Sequence, residues 1–132
     1  MEAAGIPWKA YLEDQPTPCF TGATAAGYAK KHNPFIYYND IASSSRRCDR
    51  LVGFGQLSAD LRHAQLPTYA WISPNLCDDG HDCGVAGGDR FLARAVPALL
   101  RELGLHRMPR RGAEHRRPAR SPSHLLEGLP GG

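Results

Sequence analysis

The segment Pro74-Asn75-Leu76-Cys77-Asp78-Asp79-Gly80-His81-Asp82-Cys83 places three carboxylates and one imidazole within five residues. Carboxylates hold hard or borderline cations, and an imidazole ligates a metal, donates a proton or contacts a phosphate oxygen. Asp78, Asp79, His81 and Asp82 together therefore suit a divalent-metal or phosphoryl-transfer site. Three carboxylates this close repel one another unless a cation, an arginine or solvent screens them. The same run also reads as a solvated acidic turn. Cys77 and Cys83 lack the paired close spacing of a four-ligand zinc site.

A second cluster, Lys30-Lys31-His32-Asn33-Pro34-Phe35, sets two cations and an imidazole before a rigid turn. Such groups bind phosphate or protonate a leaving group, and His32 is the functional choice among them. The lysines alone equally suit a helix C-terminus. Ser43-Ser44-Ser45 lacks a nucleophile elbow and reads as loop. Gly53-Phe54-Gly55 is short of a dinucleotide fingerprint, and no strand is expected before it. Four cysteines permit three pairings. Joining Cys77 to Cys83 would stiffen the acidic turn and leave Cys19 and Cys48 to staple the region between them. That pattern suits an oxidising compartment.

These groups need elements to position them. Pro7–Leu12 reads as a short helix, with Trp8, Tyr11 and Leu12 on one face. A second helix is expected over Ala25–Lys31, stopped by Asn33-Pro34. Asn39–Gln56 reads as a long surface loop, and Ser58 starts a short helix over Ala59–Ala64. Thr68–Ile72 is β-branched and aromatic, the best strand. The acidic loop Ser73–Gly88 follows it, where ligands of open α/β sheets sit. A last helix begins near Asp89, carries an apolar stripe from Phe91 to Leu103, and should kink or break at Pro97. One strand makes no sheet, so the expectation is that its partners are missing from the chain.

The chain has 132 residues, enough for one small domain. Apolar residues make up 42% and charged residues 22%, ordinary globular usage. No apolar stretch is long enough to span a membrane. Met1–Gly5 shows no export signal, so the chain is expected in the cytoplasm if expressed as given. Residues 1–100 hold nine Lys and Arg against ten Asp and Glu, whereas residues 101–132 hold seven Arg against three Glu. The basic excess thus lies in a C-terminal segment rich in Pro and Gly and free of aromatic and β-branched residues, the composition of disorder. Its interrupted charge and missing aromatics argue against a nucleic-acid-binding arm. A frameshift near residue 101 in a GC-rich gene would produce such a composition.

Several phrases together resemble the bacterial phosphoesterase family of acid phosphatases and phosphatidylinositol-3-phosphatase-like and phospholipase C-like enzymes, within the alkaline-phosphatase-like superfamily. They are Trp8-Lys9-x-Tyr11-x-Glu13, Pro18-Cys19, Tyr28-Ala29-x-Lys31-His32-Asn33-Pro34-Phe35-x-Tyr37, Arg47-Cys48, Pro74-Asn75-Leu76-Cys77-x-Asp79-x-His81-Asp82-Cys83 and Val96-Pro97-Ala98-Leu99-Leu100. The resemblance implies an incomplete, loop-rich fragment of an α/β sandwich with few strands, over 1–103, followed by a disordered tail over 104–132. It also implies metal-assisted hydrolysis of a phosphate ester, either a small molecule or a phospholipid headgroup. By it, His81 and His32 are catalytic candidates, and His32, Asn33 and His81 contact substrate. Asp78, Asp79 and Asp82 serve the divalent metal ion, and Cys19, Cys48, Cys77 and Cys83 form disulfides. Full-length members are extracellular or periplasmic, and no specific protein partner is implied. The family's upstream Glu-Asn motif, its nucleophile and its later acidic motif have no counterpart here. The chain alone is therefore expected to be weakly active or inactive. A non-catalytic, disulfide-stapled module binding a metal or phosphate is the alternative.

Overall fold

A computed structural model describes residues 1–104. The expected tail lies, from residue 105 onward, outside the described residues. The regular elements in chain order are β1 (Trp8–Leu12), β2 (Thr24–Ala25), β3 (Tyr28–Ala29), α1 (Asn39–Ala42), α2 (Ser45–Cys48), β4 (Leu51–Val52), α3 (Phe54–Arg62), β5 (Tyr69–Ser73) and α4 (Gly84–Glu102). Short 3-10 turns cover Glu2–Ala4, Lys30–His32 and Pro34–Tyr37. The fold is mixed α/β and loop-rich, with few strands.

β1, β4 and β5 form a parallel sheet in the order β4–β1–β5. Trp8 pairs with Tyr69 through to Leu12 with Ser73 on one side, and Ala10 with Leu51 on the other. The helix expected over Pro7–Leu12 is thus the central strand. Trp8, Tyr11 and Leu12 do stand at helical spacing, but a central parallel strand is covered on both faces and loses the alternation that marks a half-buried one. Trp8, Ala10 and Leu12 join Tyr28, Phe35, Ile36 and Leu51 in the core, where Trp8 stacks on Phe35 at 5.1 Å. Tyr11, also buried, turns to α3 and donates its hydroxyl proton to Asp60. The partners of β5 are therefore present, in segments read as helix and loop.

Other expectations change as well. The helix over Ala25–Lys31 is a tight antiparallel hairpin of β2 and β3, followed by a 3-10 turn. Ala26 and Gly27 have φ of 45° and 95°, the left-handed pair that a two-residue hairpin turn requires. The loop over Asn39–Gln56 resolves into α1, α2, β4 and the start of α3. A strand does precede Gly53, which caps α3, although the remaining glycine of the fingerprint is still absent. α4 starts at Gly84, earlier than expected, and runs through Pro97 without a break. Cys19 is bonded to Cys48, tying α2 to the segment after β1, and Cys77 is bonded to Cys83. β5 lies at the sheet edge, with Tyr69, Ala70 and Trp71 exposed.

Candidate active site

The carboxyl ends of the three parallel strands release Glu13-Asp14 after β1, Gly53 after β4 and Pro74-Asn75 after β5. This edge is where open α/β sheets place ligands. The turn that follows β5 is closed by Cys77–Cys83 and stands directly on it. Within the turn the Asp82 N–H donates to the Leu76 carbonyl at 2.8 Å and the Gly80 N–H to the Cys77 carbonyl at 3.1 Å. Gly80 has φ of 88° and Gly84 φ of 67°, so the chain turns there through conformations that favour glycine.

His81 Nδ1 lies 2.7 Å from Asp82 Oδ1, and its side chain is 61% exposed. With the carboxylate holding Nδ1–H, Nε2 is the nitrogen left to face a ligand. It has no hydrogen-bond partner among the described residues. Asp79 joins this histidine to the second one. Its Oδ1 accepts the His81 backbone N–H at 2.7 Å, while Oδ2 lies 3.2 Å from His32 Nε2. His32 Nδ1 donates to the Pro74 carbonyl at 2.9 Å. Both His32 nitrogens thus face oxygen atoms. Histidines 49 positions apart in the chain share one aspartate.

The other candidates separate from this group. Asp78 accepts from Arg94 of α4 at 2.8 Å. Asn33 is fully buried and donates through Nδ2 to Gln15 Oε1 at 3.3 Å. Lys30 lies over the Tyr37 ring, 4.9 Å from its centre. Residues 1–106 match the sequence profile of the Phosphoesterase family.

The chain belongs to the phosphoesterase family. A probable acid phosphatase of Kluyveromyces lactis is 33% identical over 107 residues, which cover 76% of this chain and 25% of that protein. An acid phosphatase of Aspergillus fumigatus is 29% identical over 107 residues, covering 76% and 24%. A phosphatidylinositol-3-phosphatase of Mycobacterium tuberculosis is 29% identical over 96 residues, covering 73% and 30%. The chain spans about a quarter to a third of the length of these phosphoesterase relatives. No solved structure matches it.

In this phosphoesterase-family chain the three aspartates turn to different partners: Asp78 to Arg94, Asp79 to His32, and Asp82 to His81. Among the described residues no group of three or more His, Cys, Asp or Glu side chains is gathered as a metal site. As arranged, they do not fit a divalent cation. Glu13 and Asp14 were not among the sequence candidates for site residues, yet both reach the turn. Burial raises the Glu13 carboxyl above its ordinary range. The Asn75 N–H opposes that rise, Asp78 and Asp14 add to it, and Arg94 opposes it. Their signal was positional: two carboxylates directly after a strand, legible only once β1 is seen to be a strand.

Proposed function

We propose that this chain serves the recognition and acid-assisted hydrolysis of phosphate esters, in the manner of an acid phosphatase. The carrying observation is the Asp82–His81 pair on a disulfide-closed turn at the carboxyl edge of a parallel sheet, linked through Asp79 to His32. Asp82 holds Nδ1–H of the His81 imidazolium, so that Nε2–H donates to the ester's bridging oxygen; as a water attacks phosphorus and that P–O bond breaks, Nε2 gives its proton to the departing alkoxide. His32, with its ring nitrogens engaged by Pro74 and Asp79, serves by holding Asp79 against the turn that carries His81. Asn33 serves the same end by fixing the chain beside His32. In this reading the fold is part of an alkaline-phosphatase-like α/β sandwich. The two disulfides favour an oxidising compartment, and either a small phosphate ester or a phospholipid headgroup suits the site. A divalent cation is the cofactor the family resemblance implies, although the three aspartates as arranged do not form its ligand set. No hydroxyl nucleophile is assigned among the described residues, and slow turnover is expected of this chain.

Hydrolysis of p-nitrophenyl phosphate, with calorimetric titration of inorganic phosphate, tests the reading. His81→Ala should abolish phosphate binding and lower any turnover by about 10²-fold or more. Equal binding and equal turnover in the two proteins would overturn it. The rigid Cys77–Cys83 closure also favours a second reading, a module that binds phosphate without turning it over. Binding without detectable release of p-nitrophenol selects that one.

A further inference from the structure

Asn75 makes more hydrogen bonds to its surroundings than a loop residue needs. Its backbone N–H donates to Glu13 Oε2 at 2.9 Å, and its Nδ2 donates to Asp14 Oδ2 at 2.7 Å. Its Oδ1 accepts from the N–H groups of Cys77 and Asp78 at 2.9 and 2.8 Å, and its carbonyl accepts from Asp79 at 2.9 Å. One residue therefore ties the end of the central strand to the backbone of the three residues that open the turn. A third element closes on the same place. A Cβ at Gly27, in the β2–β3 hairpin, would lie 2.9 Å from Asp14 Oδ2 and 3.7 Å from the Asn75 Cβ, and the Gly27 carbonyl takes the Leu76 N–H at 3.0 Å.

We infer that Asn75 is the positioning residue of the site, and that its bond to Asp14 sets where Asp79, His32 and His81 stand. Asp79 follows directly on the two N–H groups that the Asn75 side chain holds, its own N–H is taken by the Asn75 backbone carbonyl, and it carries the contacts to both histidines. His32 is in turn hydrogen-bonded to Pro74, the residue before Asn75. A side-chain change at Asn75 leaves these two carbonyl bonds in place and acts on the imidazoles through the released Cys77 and Asp78 N–H groups and the lost bond to Asp14. The inference rests on the proposed phosphate chemistry only for its consequence on binding. The claim of positioning stands on the geometry of the histidines.

A charge-conserving swap tests it. Asn75→Ala removes the acceptor of two N–H groups. Asn75→Asp keeps that acceptor but sets a carboxylate against Asp14. Asp14→Asn with Asn75→Asp restores the bond with donor and acceptor exchanged at unchanged net charge. The left-handed φ of 57° at Asp14 also suits an asparagine, so the swap adds no backbone strain. In the full chain with disulfides intact, the ring ¹⁵N signals of His32 and His81 and the affinity for inorganic phosphate are both read. Each single change at Asn75 should alter the His32 ring signature and weaken phosphate binding roughly tenfold. The double variant should return the signature to that of the parent and the affinity to within about threefold. An unaltered His32 signature in folded Asn75→Ala, or a double variant no better than Asn75→Asp, overturns the positioning role. If the parent itself binds no phosphate, the phosphate reading fails, and the ring signals still decide the role of Asn75.

Discussion

Asp60, on α3, is 3% exposed and accepts from Lys9 Nζ at 2.6 Å, Tyr11 Oη at 2.6 Å and Gln56 Nε2 at 2.7 Å. Burial alone would raise its carboxyl, but the bonds from Lys9, Tyr11 and Gln56 outweigh it and hold the group below the ordinary aspartate range. The same burial, with Asp60 beside it, pushes the Tyr11 hydroxyl well above its own. Asp60→Ala strands the Lys9 ammonium and the Tyr11 hydroxyl, and should cost about 3–5 kcal/mol in urea unfolding at neutral pH. The unfolded chain protonates Asp60 near its ordinary value of about 3.9, while the folded chain resists until lower pH. The stability this carboxylate supplies is therefore complete above about pH 5 and is lost as pH falls through the folded value. A parent-minus-variant difference that stays flat between pH 6 and pH 3 would show that the network does not depend on the charge. Nothing in the local sequence singles out Asp60, since an aspartate in an amphipathic helix usually faces water. His32 and His81 stand out as candidates in the sequence because imidazoles beside carboxylates and lysines are chemically conspicuous, but the Asp79 bridge between them arises only in three dimensions.

At the level of elements, α4 meets the acidic turn through Gly87, its one buried residue. A Cβ there would stand 2.6 Å from the Cys77 carbonyl oxygen and 3.1 Å from the Cys83 Cβ, against backbone and a disulfide that cannot swing away. Gly87→Ala should therefore destabilise by about 1–3 kcal/mol despite its better helix propensity. Urea denaturation checks the sign, and a gain in stability would mean that helix and turn part readily. The strand β5 was legible from its β-branched and aromatic run, and α4 from its long apolar stripe. β1 was not, because full burial of Trp8, Ala10, Tyr11 and Leu12 erases the two-residue period. β4, with only Leu51 and Val52, is too short to carry a pattern at all. The hairpin was hidden by Ala26, a residue that takes the left-handed conformation only under tertiary constraint.

For the molecule as a whole, the mixed α/β class and the acidic turn's place beyond β5 were readable, whereas the sheet was not, because its strands come from distant parts of the chain. β1 pairs with residues 51–52 and 69–73, so no strand of the parallel sheet finds its neighbour locally. The Cys19–Cys48 bond bypasses most of the chain between β1 and β4, with a sequence separation of 29. Replacing both cysteines by serine should cost about 3–4 kcal/mol at equilibrium in urea. The consequence also concerns time. A parallel sheet must close long loops before any contact rewards it, and such chains fold slowly. With the bond in place, the effective tether from β1 to β4 is only a handful of residues on either side of the bridge. Stopped-flow refolding of the oxidised chain should therefore outpace that of Cys19→Ser/Cys48→Ser by about five- to tenfold. Equal rates would place β1–β4 docking after the rate-limiting barrier. In a cell, oxidation of one pair of thiols would then decide how long the aromatic strand Tyr69–Ser73 waits unpaired and open to other chains.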